Sequence, residues 1–321
     1  MLALMLLLPF VVREPYFQHL LILVLLWVTI GTGWNLLAGY TGQVSFGAAG
    51  FFGVGAYTAG LLSHHLGISA WWGMALGGVV AMVVAFPFGA ITFPLRGAYF
   101  ALGSLALGEV MRHVATIWES LTEGMVGILI MQTFISKLPY YYIALALAVF
   151  SIVLVHQVTR SRLGYYFVSI REDQDAAASI GINTTKYKMI SLCMHAFLTG
   201  MAGALYMNYM GFIDPHVVFS LHDISIMAIL VAIVGGVGTL HGPAVGAFIM
   251  VALQEVFRTA GFGGLKALSD AMGGGFMTVV TKYVSQAHVL AFGILVVVVI
   301  MNLPNGIVGD WARIKRVFRR G

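Results

Sequence analysis

The sequence predicts an all-α protein, a polytopic transmembrane helical bundle of about 8–10 spans with some segments broken by glycine. Three observations predict it. Of 321 residues, 60% are hydrophobic and only 9% are charged, against roughly 25% charged in an average soluble domain. The mean hydropathy of +0.94 extends over the whole length, so the apolar residues are not confined to one anchor. Glycine is abundant at 39 residues, above the usual ~7%, as expected where small residues let membrane helices approach closely. These values exclude an ordinary soluble domain. They also exclude a disordered chain, which would be polar or highly charged. Residues 1–321 therefore read as a single transmembrane domain with no room for a large soluble one.

A spanning helix takes about 20 mostly apolar residues. The first apolar segment, Met1–Val12, is short and is expected to be a short or re-entrant piece. No basic region precedes it, so it is not read as a cleaved signal peptide. Tyr16–Ala38 has spanning length, and Val44–Leu62 follows it with many glycines. Trp71–Phe93 and Gly97–Ile117 come next, separated by Arg96. Tyr140–Val158 and Met189–Gly211 flank the one sizeable hydrophilic stretch. Ile224–Leu240, Pro243–Phe257 and Ala287–Leu303 complete the series.

Charge sets the expected orientation. Arg160, Arg162, Arg171, Lys186 and Lys188 lie in residues 159–188, and Arg313, Lys315, Arg316, Arg319 and Arg320 lie in the tail 304–321. Basic residues favour the cytoplasmic side. Four spans separate these two regions, so both assignments agree, and counting back places the N-terminus inside as well. The net charge of +5 follows from this rule and calls for no nucleic-acid partner. Membrane lipid is the expected surrounding.

The segment 169–183 carries Glu172, Asp173 and Asp175 ahead of Ala176–Ala178, with Gly181 beyond. Acidic groups suit a helix N-terminus and glycine suits a helix stop. A short helix over about Asp173–Ile180 is expected. Local physics leaves two readings open: a solvated connector, or a docking helix whose small alanines enter a cleft in another protein.

Residues 39–55 hold six glycines together with Tyr40, Thr41, Gln43 and Ser45. A continuous spanning helix should not carry so many helix-weakening residues. Non-helical backbone at membrane depth survives only inside protein or beside water, so a broken helix lining a path is expected there. A second block holds Gly235, Gly236, Gly238, Gly242 and Gly246. It reads either as a pathway element, by analogy with interrupted transporter helices, or as a packing stripe through Gly238, Gly242 and Gly246. Glu109 is an intramembrane carboxylate with a functional reading. Three residues on, Arg112 could instead simply pair with it. Arg96 is read as an interfacial anchor or a functional charge.

Other chemistries lack their residues. Cys193 is the single cysteine, so neither an internal disulfide nor a Cys/His zinc spacing is available. No His-Glu-x-x-His occurs, and no Gly-Lys dipeptide occurs, hence no Walker A loop. His64–His65 falls at an expected outside turn. No catalytic constellation, cofactor or metal is expected, and any ATP hydrolysis belongs to a separate chain.

Several ordered blocks resemble one family. Asp175-Ala-Ala-x-x-x-Gly181 is similar to the EAA motif of ABC importer permeases. Gly33–Thr58 resembles the early segment of LivM-type permease subunits of branched-chain amino acid importers. Leu95–Leu102, continuing to Glu109 and Arg112, Ser169–Asp173 with Gly181-Ile-Asn, Met201–Tyr206, Val234–Ala247 and Leu303–Val308 follow in that family's order. Ile190–Leu192 stands slightly early and Cys193 replaces a proline, which departs from the classical importer subfamilies. Gly261–Ser285 is least similar. The resemblance implies a permease that is not an enzyme, forming half of a translocation pathway in a bacterial-type inner membrane. It implies three kinds of partner: ATP-binding subunits, a second homologous permease subunit and a soluble substrate-binding protein. It implies coupling to the ATPase through Arg171, Glu172, Asp173, Asp175, Ala176, Ala177 and Gly181. The path would involve Asn35, Gly42, Gln43, Ser45, Gly47 and Glu109. The alternatives are a urea or short-amide importer permease and, in a different class, an ion-coupled secondary transporter. The secondary transporter would need more buried carboxylates than Glu109 supplies.

Overall fold

A computed structural model describes residues 14–256 apart from 70 and 96, together with 306–309 and positions 5, 6, 8, 9, 293 and 301. The expected segment Ala287–Leu303, the Gly261–Ser285 stretch, Arg96 and most of Met1–Val12 and the basic tail lie outside the described residues.

Helix α1 spans Pro15–Asn35 and continues as a π-helical turn, Leu36–Tyr40. Proline suits its start because the first helical N–H has no partner anyway. Then come α2 (Ala48–Leu66), α3 (Trp72–Thr92) and α4 (Ala98–Ile117). A one-turn helix α5, Glu119–Thr122, precedes the two-residue strand β1, Ile128–Leu129. Helix α6 covers Lys137–Arg160, α7 Arg162–Glu172, α8 Gln174–Ser179 and α9 Thr184–Met210. Strand β2, Phe212–Ile213, pairs antiparallel with β1. After α10 (Pro215–Val218) a π-helical stretch, Leu221–Ile226, runs into α11, Met227–Gly235. Helix α12, Gly242–Val256, follows.

Among the described residues, five helical stretches are long and apolar enough to cross a membrane: Pro15–Tyr40, Trp72–Thr92, Lys137–Arg160, Thr184–Met210 and Pro215–Gly235. Helices α2 and α4 have spanning length, but glycines, histidines and the Glu109–Arg112 pair make them less apolar. The chain is a helical polytopic membrane protein.

Helix α9 lies at the centre and packs most extensively on α3 and α2. Glycine makes this possible. A Cβ on Gly55 would stand 2.0 Å from the Gly200 carbonyl, and one on Gly200 would stand 2.7 Å from the Gly77 carbonyl. Three backbones meet there, a close approach that supports association where the hydrophobic effect does not act between helices. By contrast α3 turns Val83, Phe86 and Ile91 outward.

Helices α1 and α9 are antiparallel. His19 meets the Tyr209 hydroxyl at one end, 2.5 Å apart, and Thr41 donates to Ser191 at the other, 2.9 Å. All the described basic residues of 159–188 fall at the Thr41 end. The opposite end is closed by loop contacts: Gln132 donates to the Tyr209 carbonyl at 2.7 Å, and Trp71 donates to Thr133 at 3.2 Å.

Candidate functional site: a junction of two interrupted helices and a loop helix

The first interruption begins where α1 widens into its π-helical turn. The chain leaves the helix through Thr41 and Gly42, which takes a positive φ of 75°. It re-enters helix only at Ala48. The backbone of the gap is satisfied by side chains, as burial requires. Trp34 donates from Nε1 to the Ser45 carbonyl at 2.7 Å. The Phe46 N–H donates to Ser104 Oγ of α4 at 2.8 Å. The Gly47 N–H donates to Ser45 Oγ at 3.1 Å, and the Ala49 N–H to Ser225 Oγ at 3.0 Å.

The second interruption separates α11 from α12. Gly236 and Gly238 take positive φ values of 130° and 74°. Two reasons for glycine are mixed in this block. Gly242 and Gly246 belong to a packing contact: a Cβ on Gly246 would fall 1.9 Å from the Val231 carbonyl. Gly238 stands in the turn before α12, so the three-glycine stripe expected from spacing is not one stripe.

Asn35 joins the two interruptions. Its side chain is 1% exposed. Nδ2 donates to the Thr239 carbonyl at 2.8 Å, and Oδ1 accepts from the Gly238 N–H at 2.7 Å. Gly39 lies against the same turn, where a Cβ would stand 2.5 Å from Gly238 N. Only glycine lets these backbones approach so closely.

Arg171, at the end of α7, reaches the junction from the loop. Its Nη1 donates to the Gly39 carbonyl at 2.9 Å, and its Nη2 pairs with Glu172 at 2.6 Å. The stem crosses Gly42, whose absent Cβ would lie 3.1 Å from Arg171 Cγ. One guanidinium thus holds the loop, the first break and the edge of the second. Arginine suits this task because its planar fork donates in several fixed directions.

Helix α8 forms within the expected bounds. Asp173 caps it, accepting from the Asp175 and Ala176 N–H groups at 2.8 and 3.0 Å. Gly181 ends it with φ 91°. Ala177 is 3% exposed and faces the protein, while Asp175, Ala176 and Ile180 face outward. Lys188, 1% exposed, donates to Gln174 from the second turn of α9.

The structure brings Asn35, Gly42 and Arg171 together, with Ser45 and Gly47 in the adjoining gap. Gln43 is at the same turn and bonds the Thr41 carbonyl at 3.4 Å. Glu109 stands apart. It pairs with Arg112 at 2.6 Å, and Arg112 also approaches His216 Nδ1 at 3.3 Å. Sequence reasoning missed Thr239, Ser104, Ser225, Lys188 and Gln174. Lone serines and threonines in helical stretches were the available signal, since buried hydroxyls need partners.

Between α1 and the π-helical stretch lies a cavity of about 270 Å³. Leu26, Trp27 and Ile30 form an apolar wall, with Tyr206, Asp223 and Gln254 as polar groups.

A bundle of membrane-length helices, two of them interrupted and tied to a basic loop, defines the class: a polytopic helical membrane protein. The chain belongs to the family described as the branched-chain amino acid transport system / permease component, whose profile matches residues 16–299. It is 27% identical over 271 residues to the high-affinity branched-chain amino acid transport system permease protein LivM of Salmonella typhimurium, covering 73% of this chain and 62% of that protein. It is 22% identical over 304 residues to the corresponding LivH of Escherichia coli, covering 87% and 90%. The autoinducer 2 import system permease protein LsrC of an Enterobacter species is 27% identical over 117 residues, 35% of this chain and 34% of that one. The chain thus spans about three fifths of the LivM relatives it matches, 62% in each case. No solved structure matches it.

Proposed function

We propose that this chain is the permease subunit of an ATP-driven importer of branched-chain amino acids, forming half of the translocation pathway in a bacterial-type inner membrane. Its relatives named LivM and LivH support the substrate class. A second, homologous permease subunit completes the pathway, a soluble binding protein delivers substrate, and ATP-binding subunits dock on α7–α8. The chain itself is not catalytic. The single domain keeps residues 159–188, the tail 304–321 and both termini in the cytoplasm, in line with the charge distribution.

The carrying observation is the bond from Arg171 to the Gly39 carbonyl. ATPase closure displaces α8 through Asp175, Ala176 and the residues around them. Lys188 ties that movement to α9, and Arg171 passes it to the turn at Gly39. The Asn35 clamp on Gly238 and Thr239 then shifts, opening the inner end of the path along Gly42–Gly47. The cavity beside Trp27 lies further along α1 from this clamp, where a small solute with one apolar end would wait. Glu109 serves as half of an ion pair that fixes α4.

The test uses the tagged chain, solubilised from its native membrane with its partners. Intact chain brings down an ATP-binding subunit, and replacement of 175–181 abolishes that. Arg171→Ala retains the subunit and its ATP hydrolysis but lowers leucine uptake in proteoliposomes at least tenfold. A stable chain that never retains an ATPase overturns the importer reading. Arg171→Ala with normal uptake overturns the coupling route.

A further inference from the structure

We propose a divalent transition-metal site, of zinc type, built from His64, His65 and Glu123 at the end of the bundle opposite α7–α8. Among the described residues, these three offer one ligand atom each, all within 4.8 Å of one another. His64 Nε2 stands 3.6 Å from Glu123 Oε1. Zinc bonds of about 2.0–2.2 Å in a tetrahedron place neighbouring ligand atoms roughly 3.4 Å apart. The observed pair is therefore already near the required edge.

His65 has one ring nitrogen already engaged. Its Nε2 meets the Leu121 carbonyl at 3.0 Å. A carbonyl can only accept, so Nε2 is the donor and Nδ1 is the ring nitrogen left to face an ion. A ligating histidine commonly donates its other ring N–H to a carbonyl in this way, which fixes the ring and its tautomer. The His64 and His65 rings sit edge to face, 4.9 Å between centroids.

The surroundings favour a cation. Both histidines occupy the last turn of α2, where the helix dipole is negative. Glu123 holds a φ of 59°, unlike any other described residue that is not glycine. This left-handed turn ends α5 and brings the carboxylate back toward α2. The His64 and Glu123 side chains are 40% and 43% exposed, so an ion can enter without displacing protein. Two imidazoles and one carboxylate leave a fourth position for water. Sequence reasoning expects no metal because it reads local spacings, and the third ligand proposed here is 59 residues from His64 in the numbering. The metal would fasten the end of α2 to the 118–127 loop, ahead of β1.

The test takes the full chain, purified through a histidine-free tag and stripped with chelator. Zn²⁺ alone is titrated by calorimetry, and Co²⁺ alone by visible absorption. One equivalent binds, with ligand-field bands for cobalt. His64→Ala and Glu123→Gln each weaken binding at least about tenfold and remove the bands. Zn²⁺ slows amide exchange over 118–127 in the unmodified chain and not in either variant. Glu123→Gln preserves size and carries the test if His64→Ala impairs folding. Absence of binding overturns the site, and so does binding unchanged in both variants, which would place it on other histidines. Neither result touches the importer reading, which is read out by ATPase retention.

Discussion

The two glycine-rich regions look alike as sequence and are built on opposite principles. In the first, around Gly42–Gly47, glycine opens a gap that borrowed hydroxyls fill: Ser104 and Ser225 accept the orphan N–H groups of Phe46 and Ala49. In the second, Gly242 and Gly246 remove side chains so that one backbone can lie on another, with a Cβ on Gly242 only 2.4 Å from the Gly236 carbonyl. A count of glycines does not separate a break from a seam. The companions do. Polar residues accompany the break, and alanine, valine and proline accompany the seam.

Substitution sharpens this contrast. The largest effect is expected in the seam. Gly246→Val forces a branched side chain into the Val231 carbonyl and should cost about 3 kcal/mol or more, read as a lowered melting midpoint in detergent. If Gly246→Val melts like the unmodified chain, the seam is not close-packed. Next comes the residue shared by both regions. Asn35→Ala strands the Gly238 N–H and the Thr239 carbonyl. At about 1–3 kcal/mol for an unsatisfied buried group, it should destabilise slightly less than Gly246→Val. Asn35→Asp keeps an acceptor for Gly238 but turns a buried carboxylate toward the Thr239 carbonyl, so it should destabilise at least as much as Asn35→Ala. The smallest effect belongs to the break. Ser104→Ala leaves the Phe46 N–H unpaired and should cost about 1 kcal/mol. Ser104→Thr, which retains the oxygen, should recover most of it. An unchanged midpoint for Ser104→Ala would mean that the gap is wet rather than held by α4.

The helices were legible because their signal is local. The hydropathy of Tyr16–Ala38 and the acid-alanine-glycine run at Asp173–Gly181 each dictate their own structure. The break at Gly42–Gly47 was legible for the same reason. The junction was only half legible. Asn35 and Arg171 were identified, but through family resemblance rather than through the bonds they make. Thr239 is 204 residues from Asn35, and Ser225 is 176 from Ala49. Such partners are set by how helices stack, which no local pattern encodes. Of the two readings left open for the second block, the packing stripe holds for Gly242 and Gly246 and not for Gly238, because a spacing of four also arises when a turn precedes a helix. Glu109 illustrates the converse. The i,i+3 spacing to Arg112 does encode its partner, and the pair forms.

Helix α9 runs unbroken for 27 residues, from Thr184 after α8 to Met210 beside β2. At 1.5 Å per residue such a rod is about 40 Å long. Gly200, clasped between Gly55 and Gly77, stands somewhat past its middle. A rod held most tightly there would pivot like a seesaw. A tilt of about 5° would carry the two ends roughly 2 Å in opposite senses. A push at Lys188 would therefore return at Tyr209 as a pull on the ribbon of β1 and β2. The two ends of the bundle could then move together without any change in the break at Gly42–Gly47.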